Sequence, residues 1–131
     1  MDIDRFAAIL EEQAALLPAA VMQRLNLGIG VVPGAKRDRR AEPGARLYTL
    51  GEYHRHPVMG RGIVLYYGSF QKVFPHLMEN EPRLRAEIDR VLRHELTHHL
   101  ESQAGSRELE IEDARRLAEW KQAASGKHEN D

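Results

Sequence analysis

The chain has 131 residues, no cysteine, and 19 Lys and Arg against 20 Asp and Glu, which gives a formal net charge of −1. This length fits one domain with its own core, and the lack of cysteine excludes disulfides and thiolate metal sites. The balanced charge offers no overall field toward nucleic acid or a membrane, so neither is an expected partner.

Helical patterns occupy the first 25 positions. Apolar residues recur at helical spacing from 3 to 17, and Asp2 or Asp4 precedes them as a candidate N-cap. Pro18 ends this helix or begins a short second helix, which is predicted over 19–25.

The hydrophobic period then changes to that of strands. The stretch LGIGVVP, 27–33, is β-branched and predicts a strand, whereas residues 34–46 predict a loop. LYTLGEY, 47–53, predicts a second strand, and HRHPVMGRG, 54–62, a turn or loop. IVLYYG, 63–68, predicts a third strand, whose unbroken apolar run indicates burial on both faces.

Helices are predicted for the remainder of the chain. A short one is predicted after Ser69, its candidate N-cap, and a long one is capped by Asn80 or Glu81 and ends at Gly105. A final helix is predicted over 109–120. This order of elements indicates the α+β class, with a small mixed sheet and helices packed on one face.

The chain is therefore predicted to form a single domain over 1–122, followed by a flexible polar tail over 123–131. Acidic residues stand where a signal peptide would carry bases, and no apolar run reaches the ~20 residues of a membrane span. The expected location is cytoplasmic, and the sequence leaves the oligomeric state undetermined.

The stretch HELTHHLE, 94–101, holds the strongest functional signal. On a helix, His94 and His98 leave the same face one turn apart, which suits two imidazole ligands of one Zn²⁺ ion. Glu95 lies about 100° round the helix, where a carboxylate can act as general base. His99 points elsewhere, and it is expected to support the site or to lie at the surface. The same holds for His56, His76 and His128.

A catalytic zinc needs a third protein ligand and an open position. If the turn is centred on Gly105, the flanking helices run antiparallel, and side chains tilt toward the N-terminus of their own helix. A partner must then start near residue 112 or later, which favours Asp113, with Glu110 close behind. The other acidic candidates are Glu101, Glu108 and Glu112. A charged first turn, favoured by the helix dipole, is the structural alternative for these acids.

Four stretches together resemble the small bacterial metallopeptidase family proteins, the minimal zincin-like group. They are HELTHHLE, LYTLGEYH (47–54), GRGIVLYYGSF (60–70) and AGSRELEIEDA (104–114). The resemblance extends from Leu16 to Trp120 and implies a compact zincin core with an active-site helix. The better-known branch carries HExxHxxGxxD, but here Glu101 stands at the glycine position and Ala104 at the aspartate position.

The resemblance implies a zinc-dependent peptidase that acts on a peptide or protein substrate. In zincins a sheet edge beside the active-site helix pairs with the extended substrate, so IVLYYG or its neighbour would be that strand. Glu95 would take a proton from water and pass it to the leaving amine. Tyr53 and His54 are candidate oxyanion donors, because they follow a strand and lead into a loop, although a structural role is the alternative.

Two other functions remain open from the sequence. One is a metal-binding, non-hydrolytic module that acts in assembly or regulation, and the other is a structural protein with surface histidines. The basic stretch AKRDRR, 35–40, is interpreted as solvated surface, because it lacks the interleaved aromatic residues that stack on bases.

Overall fold

The computed structural model describes residues 1–38, 47–106 and 119–120. In chain order the described elements are α1 (Ile3–Ala15), α2 (Ala19–Met22), β1 (Gly28–Val32), β2 (Lys36–Arg37), β3 (Tyr48–Thr49), β4 (Gly51–His56), β5 (Gly60–Tyr66), α3 (Tyr67–Val73) and α4 (Glu81–Ser106).

Helix α1 begins where the sequence predicts. The carboxylate of Asp2 accepts a hydrogen bond from the backbone N–H of Arg5 at 2.8 Å, so Asp2 is the N-cap and Asp4 lies in the first turn. The buried face of α1 consists of Phe6, Ile9 and Leu10. The helix ends at Ala15, and α2 is shorter than predicted.

Three strands form one sheet in the order β1-β5-β4, so β5 is central and β4 is an edge. Strand β5 runs parallel to β1 and antiparallel to β4. Because side chains alternate along a strand, Ile63 and Leu65 share the face that packs against α4, and both are buried. Val64, on the opposite face, is only half-buried. The predicted burial of β5 on both faces is therefore met on the helix side alone.

The loop predicted over 54–62 is instead the end of a β-hairpin. Strand β4 continues to His56 and β5 begins at Gly60, so the turn is only three residues long. The Nδ1 atom of His56 accepts hydrogen bonds from the backbone N–H groups of Val58 (3.2 Å) and Met59 (3.0 Å). A side chain thus closes the turn that the composition alone left undefined.

The strand predicted over 47–53 divides at Leu50. Strand β3 pairs antiparallel with β2, and β4 joins the three-stranded sheet. Residues 36–37, inside the predicted loop over 34–46, form β2. The division at Leu50 and the strand at residues 36–37 are both decided by pairing with another segment. A local hydrophobic pattern does not show such pairing.

Helix α3 starts at Tyr67, directly after β5, and not at Ser69. Ser69 lies inside the helix and is fully buried. Its hydroxyl accepts a hydrogen bond from the backbone N–H of Lys36 at 2.9 Å. The serine that the sequence marks as a cap therefore fastens β2 to α3.

Helix α4 is the longest element, at 26 residues and about 39 Å. The side chain of Asn80 accepts a hydrogen bond from the N–H of Arg83 at 3.3 Å, which confirms Asn80 as the cap. The buried apolar stripe of α4 matches the prediction and consists of Leu84, Ile88, Val91, Leu92, Leu96 and Leu100. The predicted stop at Gly105 is wrong, because α4 continues through that residue to Ser106.

Glu119 and Trp120 are helical, in agreement with the end of the final helix predicted over 109–120. The Trp120 ring centroid lies 5.2 Å from the guanidinium carbon of Arg93, and Trp120 packs against the core. This contact places Trp120 beside the turn of α4 that holds the histidines. The rest of that predicted helix, and the tail predicted over 123–131, lie outside the described residues.

The class is α+β, as predicted, with α1 and α4 against one face of the small mixed sheet. Among the residues that the structure describes, no helix has both the length and the apolar character needed to cross a membrane.

Candidate metal centre

One turn of α4 presents two exposed imidazoles on the same side. The ring centroids of His94 and His98 lie 5.0 Å apart, with their planes at 90°. One ligand atom from each ring and one carboxylate oxygen of Glu95 all lie within 4.8 Å of one another. The histidines are exposed and the glutamate is buried. The structure therefore brings together the three residues that the HExxH spacing predicts.

The carboxyl group of Glu95 lies between α4 and the sheet. Burial raises its pKa from 4.5 to about 7, a hydrogen bond from the backbone N–H of Tyr53 acts in the opposite direction, and the charge of Glu52 raises it further. A buried carboxyl group that exchanges its proton near neutral pH thus lies beside the two imidazoles.

These residues line an open groove of about 1100 Å³. Residues 48–53, from β3 to β4, form one wall. The other wall is a face of α4 that consists of Glu87, Arg90, Val91, His94, Glu95 and His98. Asp38 and Phe74 complete the lining. The groove gives the candidate metal centre direct access from solvent.

Strand β4 approaches α4 closely because Gly51 has no side chain. A Cβ atom at Gly51 would stand 2.8 Å from Cγ1 of Val91, 3.3 Å from the carbonyl oxygen of Val64 and 3.4 Å from Cγ of Glu95. The longest of these is an ordinary van der Waals contact, but the shortest is too close for a carbon atom. The missing methyl group therefore lets β4 lie close to Val91 and Glu95 on α4.

Glu52, a second carboxyl group in the lining, has the opposite electrostatic character. Burial acts to raise its pKa, but hydrogen bonds from Lys36 and Tyr66, together with the charge of Lys36, outweigh burial and hold the pKa below its usual value. One residue of the basic stretch over 35–40 therefore has an internal partner. The groove combines a charged carboxylate on β4 with a carboxyl group on α4 that burial protonates more readily.

The two candidate oxyanion donors lie in different places. Tyr53 lines the groove, but its hydroxyl group is hydrogen-bonded to Nδ1 of His99 at 3.0 Å. His54 is exposed, and it is not part of the groove lining. Since neighbouring side chains of a strand point to opposite faces, His54 faces away from α4. The role of Tyr53 and His54 as oxyanion donors stays a prediction.

Of the two places expected for His99, a supporting position and the surface, the structure excludes the surface. His99 is fully buried rather than superficial, and its Nε2 lies 2.8 Å from the carbonyl oxygen of Gln23. One signal could have found it, because residue 99 follows Leu92 by seven positions and Leu96 by three, which continues the apolar stripe. His56 and His76 are exposed, as expected, and His128 lies outside the described residues.

The third ligand is not settled by these residues. Asp113 lies outside the described part of the chain, as do Glu108, Glu110 and Glu112. The geometric argument for Asp113 loses one premise, because α4 runs through Gly105 and the turn cannot be centred there. Glu101 is exposed on α4 and does not join the group formed by His94, Glu95 and His98.

No family model matches the chain, and no curated protein matches it. Among solved structures, the chain is similar to a conserved hypothetical protein from Thermus thermophilus. The two are 32% identical, with a TM-score of 0.66, over 80% of this chain and 99% of the other. The similarity thus extends over nearly the whole length of that protein.

Proposed function

The chain belongs to the family of the conserved hypothetical protein from Thermus thermophilus, and we propose that it is a zinc-dependent metallopeptidase. The family likeness names no activity, so the proposal depends on the site. One observation carries it: two exposed imidazoles and one buried carboxyl group converge within 4.8 Å in a solvent-open groove.

The donor set fits zinc. Nitrogen ligands suit Zn²⁺, the chain has no cysteine to compete, and the two imidazoles stand one turn apart on a rigid helix. His94 and His98 would hold the ion, and Asp113 remains the predicted third ligand. When bound, zinc supplies Lewis acidity, which polarises a peptide carbonyl group and acidifies water.

Glu95 is the proposed general base. Its carboxylate takes a proton from the attacking water and passes it to the leaving amine, which needs a group that both accepts and releases a proton near neutral pH. Burial favours this by raising the pKa to about 7. The backbone N–H of Tyr53 holds the carboxyl group in place at the edge of the sheet.

The groove offers room for an extended peptide. Strand β5 is central, so the neighbour, β4, is the strand whose edge lies beside the active-site helix. From Glu87 to His94 the helix rises about 10 Å, which is the length of roughly three residues of extended chain. A substrate there would lie along the wall formed by residues 48–53 and present its scissile bond to His94, Glu95 and His98.

Metal binding is the first test of this proposal. The purified protein, freed of metal with a chelator and titrated with zinc in a calorimeter, should bind about one equivalent. His94→Ala should weaken binding by more than about a hundredfold, because losing a group that only supports a ligand already costs about ten- to a hundredfold. His76→Ala, an exposed histidine outside the groove, is the matched control and should bind zinc normally. Equal affinity in the His94→Ala and His76→Ala variants would defeat the proposal.

Hydrolysis is the second test. Zinc-loaded wild-type protein should cleave members of a peptide library, and Glu95→Gln should lower kcat by roughly 100- to 10,000-fold while it keeps zinc. Zinc binding without cleavage by the wild type would favour the non-hydrolytic module instead. Cleavage that survives in Glu95→Gln would exclude Glu95 as the base.

A further inference from the structure

We infer that His99, the third histidine of HELTHHLE, is a positioning residue that holds the general base in place through Tyr53. The inference rests on the proposed function, because it concerns the orientation of Glu95 in that site. His99 is itself neither a lining residue of the groove nor a member of the group formed by His94, Glu95 and His98. Its effect is therefore exerted through its partners.

The two ring nitrogens of His99 have distinct partners. The carbonyl oxygen of Gln23, 2.8 Å from Nε2, can only accept, so Nε2 carries the hydrogen. In the neutral ring Nδ1 is then the acceptor, and the hydroxyl group of Tyr53 donates to it at 3.0 Å. The ring is completely buried, so these bonds form away from solvent. His99 thereby joins α4 to the segment after α2 and to β4.

Tyr53 contacts α4 at two points that are one helical turn apart. Its hydroxyl group is hydrogen-bonded to Nδ1 of His99 at 3.0 Å. Its backbone N–H faces the carboxyl group of Glu95, four residues earlier on the helix, and acts to lower the pKa of that group. Two attachments fix both the position and the rotation of Tyr53 against the helix. Pairing with β5 holds β4 in the sheet, and the bond to His99 fixes the position of Tyr53 against this turn of α4.

The position of this strand matters for catalysis because a general base must lie within hydrogen-bond reach of the proton it takes. The backbone at Gly51 already packs against Val91 and Glu95, so β4 supplies one side of the Glu95 pocket. A displacement of about 1 Å in a catalytic site can lower the rate about a hundredfold. The hydrogen bonds that join Gln23, His99 and Tyr53 lie on the buried side of the helix. They prevent such a displacement of β4.

The test compares Tyr53→Phe, which keeps the ring and removes the hydroxyl group, with Ser102→Ala. Ser102 accepts a hydrogen bond from Nη1 of Arg55 at 3.1 Å, so its loss also removes a contact between β4 and α4, but one that involves no residue of the site. Tyr53→Phe should lower kcat roughly tenfold or more with KM changed by less than about twofold. Ser102→Ala should change neither, and both variants should bind zinc like the wild type.

Amide hydrogen exchange gives a readout that needs no substrate. In Tyr53→Phe the amide of residue 53 should exchange at least about tenfold faster than in the wild type, because its hydrogen bond to Glu95 opens more often. Equal exchange at residue 53 in the Tyr53→Phe and Ser102→Ala variants would overturn the inference, whatever the activity. Faster exchange in a protein that cleaves no peptide would leave the hydrogen-bond chain standing and defeat the peptidase proposal alone.

A double-mutant cycle is the last test of the inference. Tyr53→Phe and His99→Gln break the same chain, so the double variant should lose no more of kcat than the more severe single variant. Losses that multiply in full would mean that the two residues act independently, and they would overturn the inference.

Discussion

Two faces of one helical turn divide the polar residues of α4 between two tasks. The exposed face carries His94 and His98, whose rings open on the groove. The buried face carries Glu95 and His99, whose polar atoms are held by Tyr53 and Gln23. Exposure therefore makes a side chain available to a ligand, whereas buried hydrogen bonds fix where a side chain points.

Two adjacent histidines, His98 and His99, should differ most in what they contribute to the free energy of unfolding. In chelator-treated protein, His99→Leu should lower the free energy of unfolding by about 4 kcal/mol, because it leaves two polar partners without their hydrogen bonds. His98→Leu, the exposed control, should change it by less than about 0.5 kcal/mol. Urea denaturation measures both. Equal losses of unfolding free energy in the two variants would show that the exposed and buried faces of α4 contribute alike to stability.

The stability of the metal-free protein should depend on pH through Glu95, on the buried face. Its pKa rises from 4.5 to about 7 in the folded state, so the folded protein holds this proton more tightly than the unfolded chain. The contribution of Glu95 to stability should therefore fall as pH rises from about 4.5 to above 7, by about 3 kcal/mol. The fall is complete above pH 7 and absent below pH 4.5.

Glu95→Gln isolates this contribution, since an amide stays neutral throughout. The difference in unfolding free energy between Glu95→Gln and the wild type should grow by about 3 kcal/mol in favour of the variant between about pH 4.5 and 8. Urea denaturation with chelator present measures it at each pH. A difference that stays constant over this range would show that the carboxyl group reaches solvent.

Features set by near neighbours in the sequence were predictable. The caps at Asp2 and Asn80 follow from short polar side chains before apolar periodicity, and the pairing of His94 with His98 follows from helical spacing. Zinc binding, peptidase activity and the third ligand Asp113 stay predictions, because the described residues do not test them.

Features set by distant partners were not predictable. The division at Leu50 depends on pairing with β2 and β5, and the true position of Ser69 depends on the backbone of Lys36. His99 looks like one more polar residue in a histidine-rich turn. Only the tertiary arrangement brings Tyr53 and Gln23 to its two ring nitrogens.

The close approach of β4 to α4 at Gly51 also depends on distant partners. A substitution there should have the smallest of these effects on the free energy of unfolding. Gly51→Ala should lower the free energy of unfolding by about 2 kcal/mol, because a methyl group 2.8 Å from Cγ1 of Val91 forces β4 away from α4. The matched control is Gly30→Ala on β1, where a Cβ atom meets nothing within 4 Å. That variant should be neutral or more stable by about 0.5 kcal/mol, since glycine weakens a strand interior.

The two glycine variants also connect the groove to the buried face of α4. If close approach of β4 is what places the N–H of Tyr53 on Glu95, Gly51→Ala should speed amide exchange at residue 53, and Gly30→Ala should not. Loss of stability without faster exchange would mean that Val91 moves aside while the strand stays in place. The orientation of Glu95 would then depend on His99 rather than on the missing side chain at Gly51.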